Sequence, residues 1–315
     1  MKKQMKLLLL SLWLGAFLPV MLLKVLPDKP RQDHPDLPEE TTAVATVPLS
    51  ISVLMEDGSL RQMELIDYVT AVVLEEMPAS FEPEALKAQA VVARTYGLRR
   101  ILQSDKHQGA VCASPACCQG FCSPEAFLAS GGTLQQLEKI RSAVEETGQQ
   151  VLYYEGALIE ATFFSCSGGS TEDAVAVWGS DVPYLQAVES PGEEQAAAFM
   201  KTVKFSTQEL AQRLNIFATD LQVGAVTYTR GGGVETMEIA GQVFTGTQLR
   251  QLLELPSTAF YMTVLGNTVT ITSRGYGHRV GMSQYGADAM AANGSTYVEI
   301  LAHYYQNTVI APYLP

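Results

Sequence analysis

Apolar and polar positions divide the chain into three stretches. From Leu7 to Leu23 the sequence is almost unbroken apolar, interrupted only by Ser11, Gly15 and Pro19, with Lys2, Lys3 and Lys6 before it and Lys24 after it. That run is near the lower limit, roughly 17 residues, for a helix that crosses a bilayer. The lysines are expected to stay on the cytoplasmic side. A cleaved signal peptide competes with this reading, but Lys24-Val25-Leu26-Pro27-Asp28-Lys29-Pro30 offers no small-x-small cleavage site. Residues 1–26 therefore read as an uncleaved, single-pass anchor in the cell membrane, with everything after it extracytoplasmic. Residues 27–48, rich in Pro, Asp, Glu and Thr with little to bury, read as a linker.

From residue 49 to 315 the hydrophobic period alternates between strand and helix. Runs at 49–55 and 60–65 flank Asp57-Gly58, a turn dipeptide, and predict a hairpin. Residues 66–75 carry apolar side chains at helical spacing, and the residue before Pro78 is pushed out of the α region, so this helix is expected to stop near Glu76. A second helix follows over 84–96, entered through Pro83, where the missing N–H costs nothing. Strands are expected at 150–154 and 161–165. Residues 190–250 read as an inserted lobe, with a helix near 207–214, strands near 223–229 and 234–239, and a short helix after Thr245. Strands near 260–264 and 268–272 lead to a Gly-rich segment, then helices near 282–292 and 297–305. The fold class is α+β, with antiparallel strands and helices in two lobes around a cleft.

Charge narrows the range of functions. The net charge of −12 and the low isoelectric point of about 4.8 argue against nucleic acid, whose affinity needs cations on phosphates.

Three segments offer chemistry. Glu76 lies at a predicted helix C-terminus beside Glu75, two features that raise a carboxyl pKa and suit a general acid; a solvated surface residue is the bland alternative. The segment Arg274–Ala287 sets four glycines among aromatic and polar side chains, a mixture suited to sugar rings or simply to a connection between a strand and a helix. Four of the five cysteines, Cys112, Cys117, Cys118 and Cys122, fall within eleven residues, with His107 just upstream. Outside the cytoplasm such a cluster forms disulfides or holds zinc in a tetrahedral Cys/His shell.

Five ordered blocks carry a resemblance: Glu76-Met77-Pro78-Ala79 with its continuation through Leu86–Ala90 and Ala93–Tyr96; Phe164–Gly169 followed by Thr171-Glu172; Val182-Pro183-Tyr184-Leu185; Phe244-Thr245-Gly246-Thr247; and Gly275–Ala287. Over roughly residues 49–315 the chain resembles the SpoIID/LytB family of cell-wall proteins. The resemblance implies a peptidoglycan lytic transglycosylase that cleaves the MurNAc–GlcNAc bond of peptide-stripped glycan strands to 1,6-anhydroMurNAc ends during forespore engulfment. Its implied partners are the glycan strands, the sporulation amidase SpoIIP and the membrane protein SpoIIM. For some relatives the resemblance implies instead a non-catalytic enhancer of an N-acetylmuramoyl-L-alanine amidase.

Carried onto this sequence, it makes Glu76 the catalytic acid. Lys87 and Arg94, seven apart on one helix face, become candidates for holding the glycan or the Glu76 carboxylate. His278, Ser283, Gln284 and Tyr285 are candidates for sugar contacts, Ser167, Gly168 and Gly169 for the facing wall, and Trp178 and Tyr184 for stacking on a sugar or for the core. Arg279 stands where the family usually has glycine, so displacement of that part of the loop is expected. His107, Cys112 and Cys118 match the family's metal ligands, with Cys117 in place of a histidine. Cys122 is a rival ligand, and a Cys117–Cys122 disulfide is an alternative. The zinc is expected to be structural. Cys166, where relatives often carry Thr, reads as a small buried residue. A second carboxylate is not required, though Glu172, Asp173, Glu189 and Asp288 are open to that role.

Overall fold

The computed structural model describes residues 49–103, 107–217 and 221–314. The anchor and linker expected at 1–26 and 27–48 lie outside the described residues. No helix among the described residues is long and apolar enough to cross a membrane.

The chain starts as a hairpin, β1 (Ser50–Leu54) antiparallel to β2 (Leu60–Glu64), whose turn is tied by Asp57 Oδ1 accepting from the Ser59 amide at 2.9 Å. Helix α1 (Leu65–Glu76) follows directly. It stops where the sequence requires: Met77, ahead of Pro78, is extended at φ −125° and ψ 136°. Pro83 then opens α2 (Pro83–Gln103), seven residues longer at its C-terminus than its clearest apolar pattern. This helix is buried nearly all round, with Ala85, Ala88, Ala90 and Ala93 fully enclosed, so α1 and three later helices pack against it. A helix wrapped on every side is the core of its domain.

The other elements of this part are β3 (Val111–Cys112), α3 (Pro124–Ala129), α4 (Leu134–Glu146), β4 (Gln150–Tyr154), β5 (Ala157–Leu158), β6 (Phe163–Phe164) and α5 (Ala174–Trp178). The C-terminal elements return to them. Strand β13 (Met282–Ser283) pairs in parallel with β6, α8 (Gln284–Ala292) and α9 (Tyr297–Tyr304) cover α2, and β14 (Val309–Pro312) pairs antiparallel with β4. One apolar cluster joins these elements, from Ile51 and Val53 through α1 and α2 to Tyr304 and Tyr305.

A second apolar cluster runs from Val203 to Ile271. It is built by β7 (Met200–Ser206), α6 (Thr207–Leu214), β8 (Val223–Tyr228), β9 (Val234–Ile239), β10 (Gln242–Thr245), α7 (Gly246–Leu252), β11 (Phe260–Leu265) and β12 (Thr268–Arg274). Its two sheets have the orders β10-β9-β8 and β11-β12-β7. The inserted segment was expected to close at residue 250. Because β7 pairs with β12 in register from Ser206↔Thr268 to Met200↔Arg274, the body extends to residue 274. The architecture is α+β, with helices and mainly antiparallel sheets.

Candidate active site

Glu76 is the last residue of α1, and two cavities meet at its side chain. The larger, of about 760 Å³, runs past Glu160, Phe164, Trp178, Tyr276 and His278. The smaller, of about 430 Å³, lies toward Phe81, Phe127 and Tyr285. Glu76, Ser165 and Gln284 line both. A carboxyl at such a junction faces space on either side, the layout needed to act on a bond in the middle of a chain.

The carboxyl is held by the cysteine-bearing loop. The Gly120 amide donates to Glu76 Oε1 at 2.7 Å. A side chain at 120 would clash, since a Cβ there would sit 2.5 Å from Glu75 Cγ and 3.0 Å from Glu76 Oε1. Gln119 anchors the same loop by donating to Tyr68 Oη and the Ala93 carbonyl. Burial raises the Glu76 pKa, and the neighbouring Glu75 charge adds to the rise, while the Gly120 amide opposes it. The direction agrees with that inferred from the sequence, but burial, rather than helix position, is the main cause. Gln284 faces the carboxyl and also opposes the rise, without closing an ordinary hydrogen bond from its Nε2.

His278 lies in the cleft wall between Phe164 and Trp178, with ring centroids 5.6 and 5.4 Å away. Its Nδ1 accepts from the Val280 amide at 3.1 Å. Burial, aided by the positive charge of Arg250, pushes its pKa down to about 4, so the imidazole is neutral at physiological pH. Trp178 and Tyr276 are about half exposed at the rim, the posture of aromatic platforms. Tyr285 lines the smaller cavity, edge-on to Phe81 at 5.0 Å.

Several expected contacts lie elsewhere. Lys87 is engaged by Glu84 and Glu146 at 2.8 and 2.7 Å and ties α2 to α4, away from both cavities. Arg94 is buried, donating to the carbonyls of Gln150 and Val144 and to Thr147 Oγ1. It staples α2 to the end of α4 and does not hold Glu76. Ser167 and Gly168 do not face the cleft; their amides cradle the buried Glu193 carboxylate at 2.7 and 3.0 Å. Tyr184 is core, its ring tilted against Tyr154 and its Oη accepting from the Glu160 amide. Ser283 is buried as the N-cap of α8, accepting from Gly286. Cys166 is buried, as read from the sequence.

None of the four carboxylates held open for a second role lines either cavity. Glu172 is paired with Arg279, Asp173 with Arg230, Asp288 accepts from the Glu82 amide, and Glu189 is exposed. The carboxylate that does share the large cavity, Glu160, was missed; it is held by Arg99 at 3.0 Å and by Arg100. Also missed were Gly120, whose neighbours in space are distant in sequence, and Arg100, which lines the cavity with its guanidinium over Tyr96. Arg279 does not displace the Gly-rich loop: it takes the left-handed conformation of a glycine, φ 66°, and buries its side chain against Glu172 at 3.1 Å.

The cysteine loop brings four donors together. The ligand atoms of His107, Cys112, Cys117 and Cys118 all lie within 4.8 Å of one another, with His107 Nε2 3.1 Å from Cys117 Sγ and Cys117 Sγ 3.9 Å from Cys118 Sγ. Sulfurs about 2.3 Å from a tetrahedral ion are separated by about 3.8 Å, so this cluster fits a metal. Cys122 is not in the group; its thiol donates to the Ser123 carbonyl at 3.6 Å. None of the five cysteines forms a disulfide, so the alternative Cys117–Cys122 bridge is absent. Cys117 and Cys118 also line the large cavity, which makes the cluster part of its wall.

The chain as a whole is similar to known proteins. Residues 56–154 match the SpoIID family, Stage II sporulation protein. The Stage II sporulation protein D of Bacillus subtilis (strain 168) and that of Bacillus amyloliquefaciens are each 39% identical over 84% of this chain and 79% of their own length. The Amidase enhancer of Bacillus subtilis (strain 168) is 30% identical over 77% of this chain and 40% of its own length. The chain belongs to the SpoIID family of sporulation proteins.

Proposed function

We propose that this protein is a membrane-anchored lytic transglycosylase that cleaves the MurNAc–GlcNAc bond of peptide-stripped glycan strands during engulfment. The observation that carries this reading is a carboxyl with a raised pKa at the junction of two cavities, whose other lining carboxylates among the described residues are Glu160, paired with two arginines, and the exposed Glu75 on the smaller cavity. In this mechanism Glu76 gives its proton to the glycosidic oxygen as the bond to the muramic C1 breaks. The resulting carboxylate takes the proton of the same sugar's 6-hydroxyl, and O6 closes on C1 to give the anhydro ring. The proton is returned and no water is consumed. A hydrolase would place a second carboxylate at a set separation to act on water or on C1. Glu160, bound by two arginines, is poorly placed to serve as that base.

The Gly120 amide on Oε1 leaves the other oxygen to carry the proton, and Trp178, Tyr276 and Tyr285 offer ring faces to sugars on either side. The two apolar bodies are read as lobes flanking the cleft, and residues 1–26 as the membrane anchor that keeps it facing the wall. SpoIIP and SpoIIM remain the proposed partners, the amidase supplying stripped strands. His107, Cys112, Cys117 and Cys118 would hold a zinc ion. When bound, it supplies a crosslink that secures the loop bearing Gly120, and no part of the reaction passes through it.

Similarity to the Amidase enhancer favours a second reading, in which the cleft binds glycan without cutting it. Mass analysis of products from purified stripped strands separates the readings. Transglycosylase action gives anhydromuramic ends at every cut. Reducing muramic ends would make the protein a hydrolase, and uncut strands would make it a binding module.

A further inference from the structure

Residues 200–274, which build the second apolar cluster, hold two lysines and four arginines against one aspartate and four glutamates, a net of +1 in a chain of net charge −12. The sheet β11-β12-β7 shows this difference on one face. Residues paired across an antiparallel sheet project to the same side, and alternate residues along a strand to opposite sides. Val203, Phe205, Val269, Ile271, Phe260 and Met262 belong to the apolar cluster. The opposite face therefore consists of the rows between them: Thr202, Thr272 and Tyr261, then Lys204, Thr270 and Thr263, with Met200 beside Arg274 at the end of the sheet. No carboxylate stands in these rows. Thr202, Lys204, Tyr261, Thr263 and Arg274 are exposed. The Thr202 and Thr272 hydroxyls bond each other at 2.9 Å, and each keeps capacity for a further partner. The ion pairs of this part of the chain go to Arg213 and Arg230, and Lys204 and Arg274 are in none among the described residues. Threonine suits any solvated strand, but a merely solvated face of so acidic a chain is expected to carry carboxylates. With about 6.8 Å between rows and about 4.8 Å between strands, the rows span a patch of roughly 14 Å by 10 Å. Its Arg274 end leads to the cleft, since Tyr276, two residues further on, is exposed and lines the large cavity.

We infer that this sheet face is a docking surface for an anionic glycan strand, holding sugars beyond those at Glu76. The inference rests on the glycan reading of the cleft and extends it to a second surface. Threonine hydroxyls both donate and accept, as sugar hydroxyls do, so a row of them exchanges hydrogen bonds with an extended glycan in more than one register. Tyr261 offers a ring to the apolar face of a sugar, and Lys204 and Arg274 attract its acidic groups. The same chemistry disfavours other occupants. A membrane surface calls for a cluster of roughly four to eight cations, and this face has two. A protein partner calls for an apolar centre, and here the centre is Thr270 and Thr272. Continuity through Arg274 to Tyr276 favours the strand that occupies the cleft over an unrelated polymer.

The test uses the full chain carrying Glu76→Gln, to bind without turnover, and two probes of alternating GlcNAc and MurNAc: a tetrasaccharide, short enough to sit at Glu76 alone, and a long strand of the same sugars. Adding Lys204→Glu and Tyr261→Ala together is expected to weaken the long strand about tenfold and leave the tetrasaccharide unchanged, with the loss shrinking as salt is raised. Arg274→Gln, on the neighbouring strand, is expected to weaken the long strand several-fold in the same selective way. All three positions are exposed, so the melting temperature should stay at the parental value. Long-strand affinity unchanged by all three substitutions overturns the inference, as a face reserved for a membrane or a protein would require, and leaves the glycan reading standing. A parallel fall in tetrasaccharide affinity also overturns it, since the face would then not be a separate surface. Binding of neither probe by the parent brings down both.

Discussion

At the scale of single residues, the proposed activity turns on where a proton sits. The Glu76 pKa lies above the ordinary carboxylate value of 4.5 because the folded protein buries the group beside Glu75. The folded state therefore binds that proton more tightly than the unfolded chain does, and stability declines as pH rises from about 4.5 through the folded pKa. Glu76→Gln removes this penalty and keeps an acceptor for the Gly120 amide. The variant is expected to melt above the parent at pH 7.5 and level with it at pH 4, as thermal unfolding at the two values would reveal. Gly120 is the complementary position. Gly120→Ala forces the loop off Glu75 and Glu76, and a displacement approaching 1 Å is expected to lower kcat/KM about a hundredfold. Circular dichroism should show the helices unchanged, and a variant with parental kcat/KM would mean that Gly120 does not hold the acid.

At the scale of elements, the site is assembled by pieces that sequence patterning reads unequally. The stop of α1 at Glu76 was legible because Pro78 controls it locally, and α6 was legible because its apolar positions and N-cap are self-contained. Helices α3 and α4 were left unassigned, since α3 buries no residue and α4 only Ile140, Ala143 and Val144. Strand β7 was missed for a related reason: it is mostly exposed and is held as a strand by its register with β12. The roles of Arg94 and Ser167 misled because their partners, Gln150 and Glu193, are distant in sequence. The His107–Cys118 cluster was legible because all four donors lie in one short loop.

Two predictions belong at this scale. If zinc closes the cysteine loop, purified protein carries one ion per chain by elemental analysis, and a strong chelator lowers both the melting temperature and turnover together. Loss of metal with an unchanged melting temperature would remove its structural role. The Arg279–Glu172 pair joins the Gly-rich loop to the Gly231–Gly233 turn, with Gly231 accepting from Arg279 and Gly233 donating to Glu172. Arg279→Gly relieves a left-handed arginine but strands a buried carboxylate, a loss of about 3–5 kcal/mol partly offset by about 1 kcal/mol of backbone relief. Denaturant unfolding should therefore show a clear net destabilisation, and a gain in stability would contradict the clamp.

At the scale of the whole molecule, the apolar cluster around α2 and the loops between its elements produce a cleft with a raised carboxyl on its wall. The mixed class was readable from the alternation of periods. The cleft wall was not, because it combines the 115–118 loop, the segment around β6, Trp178 and the Gly-rich segment, which only the folded chain brings together. The net charge of −12 leaves copies of the chain repelling one another, while the one arginine on the wall of the large cavity, Arg100, is paired with Glu160.

The most direct test is the rate at which Glu76→Gln releases anhydromuramic products from stripped strands, compared with the parent protein at the same pH. A carboxyl acting as both acid and base predicts a drop of about a thousandfold or more with glycan binding retained. Product release within a few-fold of the parent rate would contradict it.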